Sequence, residues 1–343
     1  MLGRGAARPS LRGVEAAADR PIAQREDSSL RILVIGAGVI GSVYAGLLAD
    51  AGHDVTVVGR GGRLDNLRHQ GLRLRSARGM ESRHSVSIVD AVPDTPLDLV
   101  VIAVRREQAV FAAAQAGRSN AIDALFFGNF AGMIPELGAS IGSYRALAGF
   151  PGVGGRMERD GSVTYVVIGQ QPTVVGTIGG SDKAAQSTAT TLREAGFPTK
   201  LEPDINRWLG SHAALVAPMA AAVKAAGGRA EVLADRRDLL RMAGQATRAI
   251  YRHQRVRGEL VASANLRLLY LVMPEWFAVR YWSRALRGDF GELAFAAHTR
   301  HAWGEMAALS EWLRSTLTDD PAALAALDRL LVVATDLNPS GDR

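Results

Sequence analysis

The sequence predicts an α/β domain followed by an all-α domain, and three observations predict it. An apolar, β-branched run at residues 31–35 leads at once into a glycine-rich turn, a helical stretch and a second strand. Short apolar runs then alternate with helical stretches as far as residue 202. From Pro203 onward only helical spacing remains. Strands that alternate with helices build a parallel sheet covered by helices, and the second half has no strand pattern to add to it.

A chain of 343 residues, 48% of them hydrophobic, is long enough for two cores of ordinary size. We divide it into a tail at 1–28, the α/β domain at 29–202, the helical domain at 203–336 and a second tail at 337–343. The first tail mixes charges with Pro9 and Pro21 and has no apolar periodicity. It lacks the apolar run of a signal peptide, and Glu15, Asp19, Glu26 and Asp27 argue against a transit peptide. The formal charge of +6 comes almost wholly from arginine, since the lysines are Lys183, Lys200 and Lys224. These charges are scattered, so no nucleic-acid partner is expected. The absence of cysteine excludes disulfides, thiolate catalysis and iron–sulfur ligation, and fits a reducing compartment. No stretch of about 20 apolar residues suggests a membrane span. The nearest, 266–286, carries Arg267, Glu275, Arg280 and Arg284. We expect a cytoplasmic protein acting on a small molecule, with no membrane partner.

The turn after the first strand reads Gly36-Ala37-Gly38-Val39-Ile40-Gly41, and the helix from Ser42 to Ala51 is closed by Gly52. A second strand follows at 54–58. This is the dinucleotide-binding fingerprint of a Rossmann unit in the context it requires. Gly36 permits the tight turn. Gly38 lets a pyrophosphate approach the backbone, flanked by Val39 and Ile40. Gly41 lets the helix pack close to the strand. The helix N-terminus offers unpaired N–H groups and the positive end of its dipole. The second strand ends Val57-Val58-Gly59-Arg60, with Arg63 soon after. An NAD-binding chain usually has a carboxylate there for the ribose 2′-hydroxyl. Here two guanidiniums stand ready for a 2′-phosphate, so NADPH is the expected cofactor.

Further strands are expected at 97–103 and 124–127, with a helix at 108–116. Arg105 and Asn129 fall at the carboxyl ends of those strands, where ligands sit in such sheets. Asn129 reads either as a hydrogen-bonding group for the nicotinamide end or the substrate, or as a turn-forming residue beside glycine. Between residues 144 and 177, two β-rich segments flank Arg159-Asp160-Gly161, a hairpin signal.

The second half shows helical spacing at 205–226, 235–257, 265–286 and 290–313, punctuated by Gly227-Gly228, Gly258 and Gly288. A cleft between the two domains is implied. Leu268, Leu269, Leu271, Met273, Trp276, Phe277, Tyr281 and Trp282 form a dense apolar block. It reads as core or homodimer packing, or as a wall for a bulky substrate.

The stretch from Arg31 through Gly36-Ala37-Gly38-Val39-Ile40-Gly41 to Arg60 resembles the opening of the ketopantoate reductase family. The resemblance continues through residues 97–108, 127–137, Asp160-Gly161-Ser162-Val163 and a helix led by Trp208, and more weakly through 288–293. It implies NADPH-dependent reduction of 2-oxo acids, notably 2-dehydropantoate. It also implies a helical domain like that of 6-phosphogluconate dehydrogenase. By the resemblance, Gly36, Gly38 and Gly41 form the cofactor loop and Arg60 is the phosphate-binding residue. Arg105 stands for a basic residue near the cofactor, usually lysine. Asn129 matches the Asn of a His-Asn-Gly motif, with Gly128 and Phe130 as its neighbours here. Glu292 matches the Glu of a Thr-Glu-Ile-Asp motif, and Ala294 stands at the later carboxylate.

The main departure is the family's Trp-x-Lys. Here the chain reads Trp208-Leu209-Gly210, with Ala214 at the first following Asn position, and a one-residue shift puts Leu209 at the lysine. The family's serine before its Glu motif is also replaced, with Arg280 nearby. Hydride delivery to a carbonyl builds negative charge on oxygen, which a positioned acid or cation must meet. His212 lies within a turn of the missing lysine and is the candidate acid. Lys224 reads as a partner of its helix C-terminus. Asn129, His212 and Glu292 are therefore the candidate catalytic residues. His298, His301 and Glu305 share a helical face, read first as a surface cluster, so no metal is expected.

Three functional accounts stay open. One is a divergent NADPH-dependent oxidoreductase that reduces a carbonyl or imine of a larger, rather hydrophobic molecule in specialised metabolism. Another is a non-redox cyclase or isomerase, or an NADP-binding sensor, on the same scaffold. An authentic ketopantoate reductase is a third.

Overall fold

The computed structural model describes residues 29–77, 79, 81–141, 146–169, 171–179 and 181–336. The two expected tails, and Tyr144, lie outside them. The α/β part runs β1 (Arg31–Ile35), α1 (Val39–Asp50), β2 (Asp54–Val58), α2 (Gly61–Gln70), β3 (Leu72–Ser76), β4 (Glu81–His84), β5 (Ser87–Val89) and β6 (Leu97–Ile102). It continues α3 (Ala109–Ala116), β7 (Ala121–Phe127), α4 (Ile134–Ser140), β8 (Ala146–Phe150), β9 (Val153–Met157), β10 (Val163–Val167), β11 (Thr173–Thr177), α5 (Asp182–Glu194) and β12 (Thr199–Leu201).

Among the described residues the main sheet has eight strands in the order β12-β11-β8-β7-β6-β1-β2-β5. All neighbours are parallel except β8 and β11. From β1 the chain builds outward to β2 and β5, then returns to β6, β7 and β8 on the other side. The β1–β6 boundary is thus a topological switch point, beyond whose strand carboxyl ends sheets of this kind bind their ligands. β1 is apolar throughout because both its faces are covered. Ile32 and Val34 pack with Tyr44 and Leu48 of α1, whereas Leu33 and Ile35 belong to the core on the opposite face. The buried Tyr44 shares a 2.5 Å hydrogen bond with Thr173 and stacks on Phe197 at 4.1 Å.

A second sheet, in the order β4-β3-β10-β9, goes beyond the predicted elements. Its β9–β10 hairpin is the one expected around Asp160, and Gly161 supplies the positive φ of 80° at the turn. In β3, Leu72 and Leu74 alternate with Arg73 and Arg75, a period-two pattern too short to stand out in the sequence.

The helical part comprises α6 (Ile205–Ala225), α7 (Ala230–Asp235), α8 (Arg237–Val256), α9 (Ala264–Arg267), α10 (Glu275–Ala285), α11 (Asp289–Gly291), α12 (Ala297–His301), α13 (Trp303–Thr316) and α14 (Pro321–Asp336). Two helices expected to be continuous are broken. The 265–286 stretch passes through a π-helical turn, Leu268–Val272, and stops at Met273, which is extended at φ −69° and ψ 149°. Pro274 causes this, since its ring disfavours helical backbone in the residue before it. The 290–313 stretch contains a π-helical turn at Glu292–Ala296 and breaks at Ala302, with φ −133° and ψ 35°. α6 is buried around most of its circumference, which its alanine-rich composition permits by letting neighbours approach closely. Among the described residues, no helix is long and apolar enough to cross a membrane.

Candidate active site

The glycine loop has the geometry its spacing predicts. Gly36 sits at φ +111°, and a Cβ there would run into the Ala103 carbonyl oxygen at the end of β6. A Cβ on Gly41 would run into the Gly36 carbonyl oxygen. Gly38 differs from both: it is exposed, with nothing within 4 Å of its missing Cβ. It is also the N-cap of α1 and offers no side-chain cap, so the first N–H groups of the helix, from Val39 and Ile40 onward, look for an outside acceptor. An open glycine and an uncapped helix end at the switch point fit a dinucleotide pyrophosphate.

The two expected phosphate arginines have separate fates. Arg60, exposed at the exit of β2, donates to Gln115 and lies 5.2 Å over the ring of Phe111, itself exposed on α3. It stays at the surface at the exit of β2. Arg63 is turned inward. Its Nε donates to Ala37 O at 2.9 Å, Nη2 to Ser42 Oγ at 3.0 Å, and Nη1 to Gly161 O at 2.6 Å and Asn66 Oδ1 at 3.0 Å. The expectation that Arg63 clamps a 2′-phosphate is therefore corrected, because its donors are already committed to the loop and the hairpin turn.

At the ends of β6 and β7, Arg105 is exposed while the adjacent Arg106 is half-buried and donates to the Asn129 carbonyl at 2.7 Å. Asn129 is buried, and its side-chain Nδ2 donates to Oε1 of Glu305 on α13 at 2.6 Å. His298 of α12 pairs with the same oxygen through Nε2 at 3.6 Å. Burial pushes the Glu305 carboxyl up, but donors from His298, Asn129 and the Arg106 N–H outweigh it and hold the carboxyl below its ordinary value. His301 turns away, its Nδ1 on Ala297 O at 2.7 Å. Part of the expected surface face is thus an interdomain junction, because Glu305 faces inward. Among the described residues, no group of three or more His, Asp or Glu side chains is arranged to hold a metal ion.

His212 is enclosed by aromatics. It stacks on Trp208 at 4.9 Å and meets Phe150 of β8 at 4.0 Å. Its Nε2 is buried without a hydrogen-bond partner, and burial lowers its pKa to about 3. The expected general acid is corrected on this ground: at neutral pH the imidazole is uncharged and lacks the imidazolium proton that a general acid gives. Glu292, in the π-helical turn, forms an ion pair with Arg300, which also donates to Gly228 O at 2.7 Å. The structure does not bring Glu292 and His212 into contact with Asn129. Lys224 lies 4.5 Å over the Trp303 ring. In the apolar block, Leu269 and Trp282 are core, while Leu268, Trp276, Phe277 and Tyr281 are at the surface. Tyr281 also lines a cavity of about 380 Å³ with Val166, Ile168 and Phe290.

Comparison with known proteins agrees with this architecture. Residues 32–180, the glycine loop and most of the sheet, match the family model described as ketopantoate reductase PanE/ApbA. Over these residues the chain is similar to the ketopantoate reductase family. The 2-dehydropantoate 2-reductase of Pyrococcus abyssi is 26% identical over 189 residues, 54% of this chain and 60% of that protein. That of Pyrococcus horikoshii is 37% identical over 67 residues, 19% of this chain and 22% of that protein. The sequence matches thus span less than two thirds of either relative. Among solved structures, 2-dehydropantoate 2-reductase from Geobacter metallireducens GS-15 superposes with a TM-score of 0.73 at 16% identity, covering 90% of this chain and all of that one (100%). A D-mandelate dehydrogenase in ternary complex with NADH and anilino(oxo)acetate gives 0.71 at 14% identity, covering 90% and 98%. These structural likenesses show the fold.

The resemblance to the ketopantoate reductase family breaks down along α6. Where the resemblance expects lysine and asparagine, it has the buried Leu209, Gly210, Ala213 and Ala214. Of the two groups near the strand ends, Arg106 was not read from the sequence and Glu305 was read only as part of a surface face. Arg106 was hidden beside Arg105, and only the 3₁₀ turn at Arg106–Gln108 turns it inward. Glu305 did carry a signal: it is the one carboxylate on the face of α13 that buries Met306, Leu309 and Leu313.

Proposed function

We propose that this protein is an NADPH-dependent oxidoreductase that reduces a carbonyl or imine carbon of an apolar-substituted small molecule in specialised metabolism, and is a poor catalyst for 2-dehydropantoate. One observation carries the reading: the open Gly38 at the uncapped head of α1, at the switch point and on the same carboxyl-end side of the sheet as the strand ends that bear Arg105 and Asn129. The N–H groups of α1 bind the pyrophosphate, and Arg60 meets the 2′-phosphate. Bound NADPH supplies a hydride. Asn129 orients the reacting end, and α6 offers no lysine or asparagine to a polar substituent at the positions of Leu209, Gly210, Ala213 and Ala214. The mandelate dehydrogenase neighbour, bound to anilino(oxo)acetate, supports an aryl-substituted 2-oxo acid as a substrate class.

A non-redox role is the second reading. It is favoured by α6 itself, where the lysine position is apolar, His212 is neutral and enclosed, and Lys224 lies over the Trp303 ring. Fluorescence titration with NADPH and NADH, followed by NADPH oxidation assays with 2-dehydropantoate, phenylglyoxylate and an aryl imine, separates the readings. We expect tighter NADPH binding, slow or absent turnover of 2-dehydropantoate, and measurable turnover of an aryl substrate. Turnover of 2-dehydropantoate at about 10 per second would overturn the divergent reading. NADPH binding with no oxidation by any carbonyl or imine would favour the non-redox one.

A further inference from the structure

With lysine absent and His212 neutral, the reductase reading lacks a proton source. The junction at the end of β7 contains one. Asn129 Nδ2 donates to Glu305 Oε1 at 2.6 Å, and His298 Nε2 stands 3.6 Å from the same oxygen. The carboxylate is buried, with 7% of its surface exposed, whereas the His298 side chain is 43% exposed and reaches solvent. A buried anion that touches the strand-end Asn on one side and a solvent-connected imidazole on the other has the parts of a proton-delivery unit. Asn129 and Glu305 are 176 residues apart, so the contact exists only when the helical part closes on the sheet edge.

We propose that His298, held by Glu305, is the proton donor of this protein, and that Glu305 is the positioning residue that aligns it with Asn129. The inference rests on the reductase reading. Hydride from NADPH adds to the carbonyl or imine carbon, and the π pair of that bond moves to oxygen or nitrogen. That atom takes the Nδ1 proton of His298 in its protonated form, while Nε2 stays 3.6 Å from Glu305. Glu305 remains ionised throughout, and His298 regains its proton from solvent. Arg106, half-buried beside Asn129, lends positive charge next to the developing anion and is counterbalanced by Glu305 and Glu136. The other charged groups around α12 are already engaged: Glu292 with Arg300, Arg156 with Glu158, and Lys224 over Trp303.

The test uses the full chain, NADPH, and phenylglyoxylate or 2-dehydropantoate, whichever the wild type turns over faster. His298 is partly exposed, so H298A is expected to fold and to bind NADPH within about threefold of wild type. Its kcat should fall by about 10²–10³-fold, and added imidazole should restore part of it. E305Q keeps an acceptor for Asn129 but loses the charge. It should lower kcat, change the pH profile of kcat and leave KM close to wild type, and E305D should recover part of the activity. Wild-type-like kcat and pH profile in H298A would overturn the inference alone, as would equal losses in E305Q with no change in pH profile. A wild type that oxidises NADPH with neither substrate would overturn the reductase reading and this inference with it.

Discussion

Arg63 donates from Nε to the carbonyl of Ala37 at 2.9 Å, inside the glycine loop itself. Through Ser42 and Gly161 the same guanidinium ties the head of α1 to the β9–β10 turn. A residue that reads as a phosphate ligand from its position after β2 is a fastening for the loop.

The two arginines should therefore separate experimentally. Arg60→Ala is expected to weaken NADPH by about tenfold to a hundredfold, the worth of a charge-assisted hydrogen bond, with NADH unchanged. Arg63→Ala should weaken both cofactors alike and lower stability by roughly 1–3 kcal/mol, since carbonyl groups at Ala37 and Gly161 lose their donor. Calorimetric titration of both variants with both cofactors checks this. Loss of NADPH preference in Arg63→Ala alone would reverse the assignment.

Gly38 gives a cleaner probe of the loop than its neighbours. Its φ of −75° suits any residue, and its missing Cβ faces open space. Gly38→Ala should fold with nearly unchanged Tm and lose NADPH affinity by about tenfold or more, because the methyl stands where the pyrophosphate approaches. Gly41→Ala, whose Cβ meets the Gly36 carbonyl, should instead lower Tm sharply. Full NADPH affinity in the Gly38→Ala variant would show that the pyrophosphate lies elsewhere.

His212 should make the protein acid-sensitive rather than active. Burial holds its pKa at about 3 against an ordinary value of 6.5. The unfolded chain binds this proton below pH ~6.5 and the folded protein does not. The resulting stability is complete above that pH and is lost as pH falls towards 3, with about 2 kcal/mol gone at pH 5. His212→Leu should remove this part of the acid sensitivity, read as a smaller drop in Tm between pH 7 and pH 5. It should leave NADPH binding intact. A parallel loss of Tm in both proteins would show that the imidazole takes up its proton in the folded state.

The strand–glycine loop–helix at residues 31–50 was legible because local backbone chemistry dictates it. An apolar run, a glycine spacing that puts Gly41 against the Gly36 carbonyl and a helix beginning at Val39 are read from residues close in the chain, although the Ala103 oxygen that forbids a Cβ on Gly36 comes from β6. The α/β half followed by a helical half was legible for the same reason, since periodicity is a local property. The breaks at Met273 and Ala302 were missed, although Pro274 marked the first. What the sequence alone could not decide was which charged side chains turn inward. Arg60 and Arg63 lie close together at the head of α2, yet one stays exposed over Phe111 and the other turns in to the Ala37 carbonyl. His212 lost its acid role to the aromatic rings of Trp208 and Phe150, the latter from a strand in the other half of the chain. Glu305 gained its place by meeting Asn129 across the closed interface of sheet and helices. Desolvation and pairing depend on long-range neighbours, and only the tertiary structure supplies those.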